Sequence, residues 1–272
     1  MNLKIGLQLY SIRDEMEKDM AHALKAVKEI GYDYVEFAGY FGKEAEQVKA
    51  LLDCYGLKCI SVHQNPTLFF EEGQKAIDYL KKIGTEYCAI PWYEVASYRN
   101  DWDKTIKSFS ELGKKLKENG IQLLYHNHDF EFQKIGGEII LDKIYQTVPA
   151  EYLQPELDMC WVKYAGYEPV SYLEKYAGRI DIVHIKDFCC EKMGGGPVYA
   201  LIDSDGNEME SGSKEERGFE FRPVGSGIQD VKSIVAASEK AGAQYLIVEQ
   251  DEWGAESSLG QAKKSIEYLK QL

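Results

Sequence analysis

The sequence predicts an α/β protein that folds as a (β/α)8 (TIM) barrel, and three observations lead to this prediction. Charged amphipathic segments end repeatedly in a glycine, and a short apolar run follows each glycine. A glycine is favoured directly after a helix, and a short apolar run bounded by turn residues is typical of a buried strand. The 272 residues hold eight strand–helix units, the number that closes this barrel. A doubly wound open sheet is the alternative, but no glycine-rich dinucleotide motif follows the first strand.

The predicted strands are spaced so that a helix fits between each pair. The glycines that end the amphipathic segments are Gly31, Gly56, Gly84, Gly120, Gly178 and Gly242. The predicted strands are residues 3–9, 34–37, 57–62, 87–90, 121–126, 153–158, 180–185 and 245–249. A helix is predicted for residues 14–30. Another is predicted after Asp101, which can cap a segment whose apolar stripe includes Phe109 and Leu116.

One region interrupts this alternation. Residues 188–226, rich in Gly, Ser, Glu and Lys, are too many for a plain strand-to-helix connection. Within them a hairpin is predicted about Asp205 and Gly206. A long insertion in a barrel serves as a lid, a substrate loop or an oligomer contact. We therefore expect one barrel domain over residues 1–272, with an insertion after strand seven. If the insertion is an oligomer contact, the protein is a homo-oligomer.

Composition limits the class of partner. The chain has 32 Lys and Arg against 45 Asp and Glu, a net charge of −13, which opposes binding to nucleic acid or to an anionic membrane. We expect no signal peptide in the first residues, and no apolar run approaches the roughly 18 residues of a membrane span. The six cysteines lack metal-type spacing, so we expect them to be reduced. These features predict a cytoplasmic protein that acts on a small molecule.

Polar side chains collect at the carboxyl ends of the predicted strands, which face one mouth of the barrel, where this fold builds its active sites. Four of the five histidines lie there, namely His63, His126, His128 and His184. The other candidate side chains at this mouth are Gln8, Tyr10, Glu36, Trp92, Asp158, Lys186, Glu249 and Asp251. Such a concentration of imidazoles and carboxylates predicts a binding site.

Strands five to eight each supply one side chain that can bind a metal. These side chains are His126, Asp158, His184 and Glu249. Their convergence would suit a divalent cation with open coordination positions. The alternative is a hydrogen-bonded polar rim without metal. Glu156 shares a strand face with Asp158 but is expected to lie deeper, as a buried partner rather than a ligand.

The order of several short segments resembles a known family. The segments are GLQLYSIRD, GYDYVEFAGYFG, SVHQNP, YHNHDFEF, ELDMCWVKYAG, VHIKDF, RPVGSG and IVEQD. Together they are similar to the xylose isomerase-like barrel superfamily, and in particular to its sugar phosphate isomerase/epimerase branch. That branch includes ketose 3-epimerases, inosose dehydratase and hydroxypyruvate isomerase. The resemblance covers nearly the whole chain.

The resemblance implies one divalent metal, commonly manganese, cobalt or magnesium, held by Glu, Asp, His and Glu on strands five to eight. The last three positions fall on Asp158, His184 and Glu249, whereas His126 stands at the first Glu position. Because imidazole is a softer ligand than carboxylate, this change favours manganese, cobalt or zinc over magnesium. It also removes the symmetric pair of carboxylates that epimerases of the family use to exchange protons at the two faces of the substrate.

The implied chemistry is removal of a proton next to a carbonyl, with metal stabilisation of an enediolate. We expect Glu249 or a neighbouring histidine such as His126 to move the proton. Lys186 would hold the oxyanion, or would instead form a salt bridge with Asp187 or Asp158. The predicted activity is isomerisation or epimerisation of a sugar or keto-sugar. The first alternative is a dehydratase or lyase that acts on a cyclic keto-sugar, by dehydration as in inosose dehydratase or by elimination from a keto-glycoside.

Further side chains at this mouth are candidates for binding the substrate, namely Glu36, His63, Trp92, His128, Trp161 and Arg222. Glu36 and His63 would either bind substrate hydroxyls or support the ligands from behind. Trp161 stands where ketose epimerases usually carry a substrate-binding His, and its indole would either stack on a sugar ring or pack in the core. Arg222 resembles the substrate-contacting Arg of the family, with an exposed loop arginine as the alternative.

Two other classes of protein share this barrel. One is a non-catalytic sugar-binding barrel. The other is an endonuclease IV-like repair enzyme, which the small number of histidines and the acidic charge oppose.

Overall fold

A computed structural model describes residues 2–93, 95–193 and 214–272. Its centre is a sheet of eight parallel strands, and each lies within or coincides with a strand predicted from the sequence. The strands are β1 (Lys4–Gln8), β2 (Tyr34–Phe37), β3 (Lys58–Val62), β4 (Tyr87–Ile90), β5 (Gln122–His126), β6 (Gln154–Asp158), β7 (Ile182–Ile185) and β8 (Tyr245–Val248). The predicted α/β barrel is confirmed.

The strands follow one another around the barrel in chain order. Strand β1 pairs with both β2 and β8, so the first and last strands are neighbours. The remaining gap, between β3 and β4, is bridged just beyond the end of β3. There His63 pairs with Ala89, and the Gln64 N–H donates to the Ala89 carbonyl at 3.0 Å. The Glu86 N–H also donates to the Ile60 carbonyl at 3.2 Å, so these contacts between β3 and β4 close the circle.

Helices surround the strands. They are α1 (Arg13–Lys18), α2 (Met20–Ile30), α3 (Ala45–Tyr55), α4 (Pro66–Glu72), α5 (Gln74–Ile83), α6 (Val95–Asn100), α7 (Trp102–Glu118), α8 (Ile140–Thr147), α9 (Met159–Tyr164), α10 (Pro169–Lys175), α11 (Val231–Ala241) and α12 (Ser258–Leu269). The apolar faces of these helices pack on the outer side of the barrel and form most of the buried core.

Two helix predictions have different outcomes. Asp101 caps α7 as predicted, with its carboxylate accepting from the Lys104 N–H at 3.3 Å. The single helix predicted for residues 14–30 is wrong, because the chain is extended at Asp19 and forms two helices instead. The Asp19 carboxylate accepts from the backbone N–H groups of Ala21 and His22, and so starts a new helix where the apolar periodicity alone suggests continuation.

The inside of the barrel has an apolar layer and, nearer the carboxyl ends of the strands, a polar layer. The apolar layer consists of Ile60, Tyr87, Ala89, Leu124, Ile182, Tyr245 and Ile247, with Tyr34 packed against it. Gly6 leaves room for it, since a Cβ there would lie 2.6 Å from the Ile247 side chain. This layer fills one end of the barrel, and the charged side chains rest on it.

The connection after β7 is only partly described. Asp187–Cys189 pairs antiparallel with Glu220–Arg222, so the chain leaves the barrel and returns as a two-stranded ribbon. The hairpin predicted about Asp205 and Gly206 lies outside the described residues. A second, short hairpin that the sequence analysis did not predict, Lys134–Ile135 with Glu138–Ile139, lies between β5 and α8. Within the described ranges, no helix is both long and apolar enough to cross a bilayer.

Candidate metal centre and active site

Four side chains from consecutive strands meet at the mouth of the barrel. His126, Asp158, His184 and Glu249 each place one donor atom so that all four atoms lie within 4.8 Å of one another. All four residues are buried. Strand register explains the convergence, because β6 and β7 pair with Asp158 opposite His184. These are the four residues that the sequence analysis proposed as metal ligands.

The donor chemistry of this set fits a divalent ion. Two imidazole nitrogens and two carboxylate oxygens give a set that suits zinc, cobalt or manganese. Asp158 uses Oδ1 to cap α9, accepting from the Cys160 N–H at 2.8 Å. Its Oδ2 is buried and faces the Lys186 ammonium at 3.2 Å. A buried carboxylate oxygen that already faces a positive charge is suited to a cation.

Two carboxylates, one of them the candidate ligand Glu249, orient His184. His184 Nδ1 lies 2.9 Å from Glu249 Oε2, and its Nε2 lies 2.8 Å from Glu36 Oε2. Glu36 also accepts a hydrogen bond of 2.7 Å from the Gln8 amide. Because each ring nitrogen of His184 faces its own carboxylate, the ring orientation is fixed before any ligand binds.

Glu156 lies at the centre of a second group of donors. Its Oε2 is 2.8 Å from His63 Nε2, 3.4 Å from His126 Nδ1 and 3.6 Å from His184 Nε2. His63, His126, Glu156 and His184 thus form another set compatible with a metal ion, and it shares two histidines with the first. The sequence analysis expected Glu156 to be a buried partner, and it is fully buried.

Lys186 places a buried ammonium group between three carboxylates. Its Nζ lies 3.2 Å from Asp158 Oδ2, 3.1 Å from Glu249 Oε2 and 3.1 Å from Asp251 Oδ1. Burial alone would lower the pKa of Lys186, but these carboxylates raise it well above its ordinary value. Lys186 is therefore a fixed positive charge beside two of the candidate metal ligands. It pairs with Asp158, one of the two partners that were considered from the sequence.

The histidines at the mouth differ in protonation. Burial opposes a charge on His63, but Glu36 and Glu156 outweigh it and raise the pKa of His63 to about 10. His126 lies among cationic neighbours, and burial together with these neighbours keeps its pKa well below the ordinary value. Burial lowers the pKa of His128 to about 3. His63 is thus an imidazolium at neutral pH, whereas His126 and His128 are neutral.

A cavity of about 440 Å³ opens over these groups. Its lining includes the predicted residues His63, Trp92, His126, His128, Lys186 and Glu249, together with Tyr10, Ala38, Pro91, Phe130 and Asp251. Glu36 lies beneath the cavity, bonded to His63 and His184. The structure therefore brings most of the sequence-predicted site residues to one place.

Two predicted substrate contacts are not part of the described lining of the cavity. Trp161 is fully buried, and its indole stacks on Phe219 with ring centroids 5.8 Å apart, in an aromatic cluster beside the two-stranded ribbon. The indole also lies 5.8 Å from the His128 ring, and the Lys186 ammonium lies 5.4 Å from its centre, so Trp161 packs against two residues of the cavity lining. The Arg222 side chain is 42% exposed and pairs with Glu220 on the same strand, outside the lining of the cavity.

The sequence analysis missed a buried support behind His128. The Glu131 carboxylate accepts from the Tyr125 hydroxyl and the His128 N–H, each at 2.8 Å. The Tyr98 hydroxyl donates in turn to that of Tyr125 at 2.7 Å. Burial raises the pKa of Glu131 to about 8. The alternation of β5 indicates that Tyr125 points away from the barrel interior, but no local pattern signals that Glu131 folds back on it.

Comparison with known proteins agrees with this fold. The profile of the xylose isomerase-like TIM barrel family matches residues 24–272. Among solved structures, a sugar phosphate isomerase/epimerase from Parabacteroides distasonis has a TM-score of 0.80 at 22% identity, covering 98% of both chains. A D-allulose 3-epimerase from a Methylomonas species has a TM-score of 0.70 at 16% identity, covering 99% of this chain and 98% of the other. At these identities the likeness is one of fold.

Curated relatives include several inosose dehydratases. The protein from Geobacillus kaustophilus is 25% identical over 67% of this chain, and the match spans 64% of that relative. The protein from Bacillus cereus strain AH820 is 32% identical, with 56% of this chain and 48% of the relative matched. The protein from Clostridium botulinum strain Alaska E43 is 23% identical over 94% of this chain and 90% of its own length. With its barrel closed and the family profile matched from residue 24 to residue 272, the chain belongs to the xylose isomerase-like TIM barrel family.

Proposed function

We propose that this protein is a divalent-metal-dependent enzyme that removes a proton next to the carbonyl of a sugar or keto-sugar, with isomerisation or epimerisation as its activity. The observation that carries the proposal is the buried meeting of His126, Asp158, His184 and Glu249 beneath an open cavity. These residues would hold manganese, cobalt or zinc. When bound, such an ion would polarise the carbonyl and so acidify the adjacent C–H.

Glu249 is the candidate base. Burial would raise the pKa of Glu249, but Lys186 and His184 lower it, so the carboxylate is ionised and can accept a proton. It lines the cavity and its Oε2 lies 3.1 Å from the Lys186 ammonium. Lys186 also lines the cavity, where a fixed positive charge stabilises negative charge that develops on a bound oxygen. The two residues thus supply a proton acceptor and an electrostatic partner side by side.

Dehydration is a second candidate, and His63 favours it. Its imidazolium is held by Glu36 and Glu156 and lines the same cavity as the ionised Glu249. Groups whose pKa values are pushed apart are suited to separate acid and base roles. His63 can therefore donate a proton to a departing hydroxyl after Glu249 has taken one from carbon. The inosose dehydratases among the relatives support this alternative.

A solvent-exchange experiment tests the proposal. The protein is reconstituted with manganese, cobalt or zinc and incubated in D₂O with keto-sugars, and deuterium incorporation and loss of water are followed by mass spectrometry. We expect incorporation with at least one keto-sugar and about one metal ion per chain. Exchange without loss of water indicates isomerisation or epimerisation, and loss of water indicates dehydration. Binding of a sugar without any deuterium exchange would contradict the proposed activity and favour a non-catalytic sugar-binding barrel.

The variant Asp158→Ala tests the metal site directly. The variant removes a candidate ligand together with the oxygen that caps α9. We therefore expect loss of bound metal in a barrel that still folds, with about 1 kcal/mol of stability lost with the cap. Asp53→Ala is the matched control, since Asp53 is 64% exposed on α3 and pairs with Lys49 at the surface. Metal bound at full stoichiometry by Asp158→Ala, measured by elemental analysis, would rule out this site.

A further inference from the structure

We propose that the substrate is an unphosphorylated glycoside, with a neutral sugar ring in the cavity and a second ring on the aromatic side chains at its edge. The inference rests on the proposed function and adds the class of substrate to it. Three features of the mouth support it. Its cations are paired, the backbone N–H groups of its glycine-rich loop are bonded to a carboxylate of the protein, and two aromatic side chains are exposed.

The cations near the cavity are already neutralised or engaged. Besides its histidines, the described lining of the cavity contains one cationic residue, Lys186, whose ammonium contacts three carboxylates. The Arg13 guanidinium lies between two rings, 4.1 Å from the centre of Tyr10 and 4.7 Å from that of Trp253. Phosphate recognition needs a free guanidinium, an ammonium or a group of backbone N–H donors. Neither Lys186 nor Arg13 meets that need.

The backbone donors that a phosphate would use are occupied by Asp187. In barrels, phosphate often binds at the loops after strands seven and eight. Here the Asp187 carboxylate accepts from the N–H groups of Gly225 and Gly227, each at 2.9 Å, and from that of Gln229 at 3.1 Å. The fit is tight, since a Cβ at Gly227 would lie 2.2 Å from Asp187 Oδ1. A built-in carboxylate thus fills this anion position.

The residues outside the described ranges bring no basic side chain. Residues 194–213 and Glu94, which lie outside the described ranges, include no Lys, Arg or His. Their charged residues are all acidic, namely Glu94, Asp203, Asp205, Glu208 and Glu210. Glu249 and Asp251 line the cavity and both already contact the Lys186 ammonium. Apart from the proposed metal ion, the described lining therefore offers a phosphate group no cation that is not already paired with a carboxylate.

The edge of the cavity presents aromatic surface for a second ring. Trp92 is 38% exposed and Tyr10 is 42% exposed, and both line the cavity. Tyr10 is held in place by Arg13, which stacks on its ring and donates to its carbonyl at 3.0 Å. Deeper in the cavity are the polar groups that can bond to sugar hydroxyls. Aromatic surface at the edge with convergent polar groups below is the arrangement of a site for a partly apolar ligand.

Calorimetric titration of the full chain tests this inference without requiring turnover. The probes are glucose and galactose, each as the free sugar, the 6-phosphate and the phenyl glycoside in both anomeric forms. We expect one phenyl glycoside to bind about fivefold to tenfold more tightly than its free sugar, the gain typical of one aromatic contact. The 6-phosphates should bind more weakly than the free sugars. Trp92→Ala should reduce the phenyl preference to about twofold or less, and Phe70→Ala, an exposed aromatic outside the cavity lining, should leave it intact.

Tighter binding of a 6-phosphate than of its free sugar would overturn the inference, as would the absence of a phenyl preference or of binding by every probe. An unchanged phenyl preference in Trp92→Ala would also contradict it. These binding ratios do not depend on proton transfer. Failure of the deuterium-exchange experiment with the phenyl preference intact would therefore remove the proposed activity and leave the glycoside site standing.

Discussion

Replacing Lys186 with Met should weaken the fold and strengthen metal binding in the same protein. The methionine keeps most of the side-chain volume and removes the ammonium that contacts Asp158, Glu249 and Asp251 at 3.1 to 3.2 Å. All of these groups are buried, so the three carboxylates lose their shared positive partner without gaining water. The same change removes a positive charge beside the ligands that a divalent ion would use.

The size of both effects follows from these contacts. Breaking a buried ion pair by removing one partner costs about 3 to 5 kcal/mol, because the partner charge remains buried. The free energy of unfolding of the metal-free variant should fall by about that amount. A divalent ion can replace the lost positive charge, and if it recovers half of the loss, its dissociation constant falls by about tenfold or more.

Urea unfolding of metal-free protein and titration with manganese or zinc measure the two quantities. Lys240→Met is the matched control, since its ammonium is 3.2 Å from Glu174 and its side chain is 77% exposed. We expect the control to change stability by less than about 0.5 kcal/mol and metal affinity not at all. Weaker metal binding by Lys186→Met, or stability equal to the wild type, would refute the view that Lys186 and the metal share the same carboxylates.

Three further predictions concern supporting residues. Glu36→Gln removes the carboxylate 2.8 Å from His184 Nε2, so metal titration should show affinity reduced by about 10- to 100-fold with the fold retained. Burial raises the pKa of Glu131 to about 8 in the folded protein, against 4.5 in a peptide, so the protonated form stabilises the fold fully below about pH 4.5 and this contribution is lost as pH rises to about 8. Urea unfolding across this window should show the free energy of unfolding falling by ~5 kcal/mol at most, and Glu131→Gln should remove this pH dependence. Gly113→Ala places a Cβ 2.1 Å from the Tyr152 carbonyl oxygen, so thermal unfolding should show a loss of about 1 to 3 kcal/mol despite the better helix propensity of alanine; a gain would contradict the packing.

The strands and the four candidate ligands could be predicted because both depend on local pattern. Short apolar runs mark the strands, and parallel strands must present their carboxyl ends at one mouth. His126, Asp158, His184 and Glu249 each lie at or next to the end of such a run. No long-range information is needed to bring them together once the barrel closes.

The supporting contacts could not be predicted because they depend on register and on side-chain reach between strands. Strand β5 pairs with β6 so that His126 lies opposite Glu156, and this pairing brings Glu156 to three histidines. The sequence indicates only that Glu156 shares a face with Asp158. For the same reason the sequence does not predict what surrounds Trp161, since the Phe219 on which it stacks lies 58 residues away along the chain.

The place of Asp251 explains how a lysine and a metal ion can coexist at this mouth. His126 brings no negative charge to the candidate ligand set, and Lys186 adds a positive one, so both weaken the attraction for a cation. Asp251 offsets this, because it lies 3.1 Å from Lys186 Nζ and belongs to neither set of candidate ligands. When a cation takes Asp158 and Glu249, the ammonium keeps a carboxylate partner in Asp251. The third acidic side chain thereby lets the ligands change partners without leaving a buried charge alone.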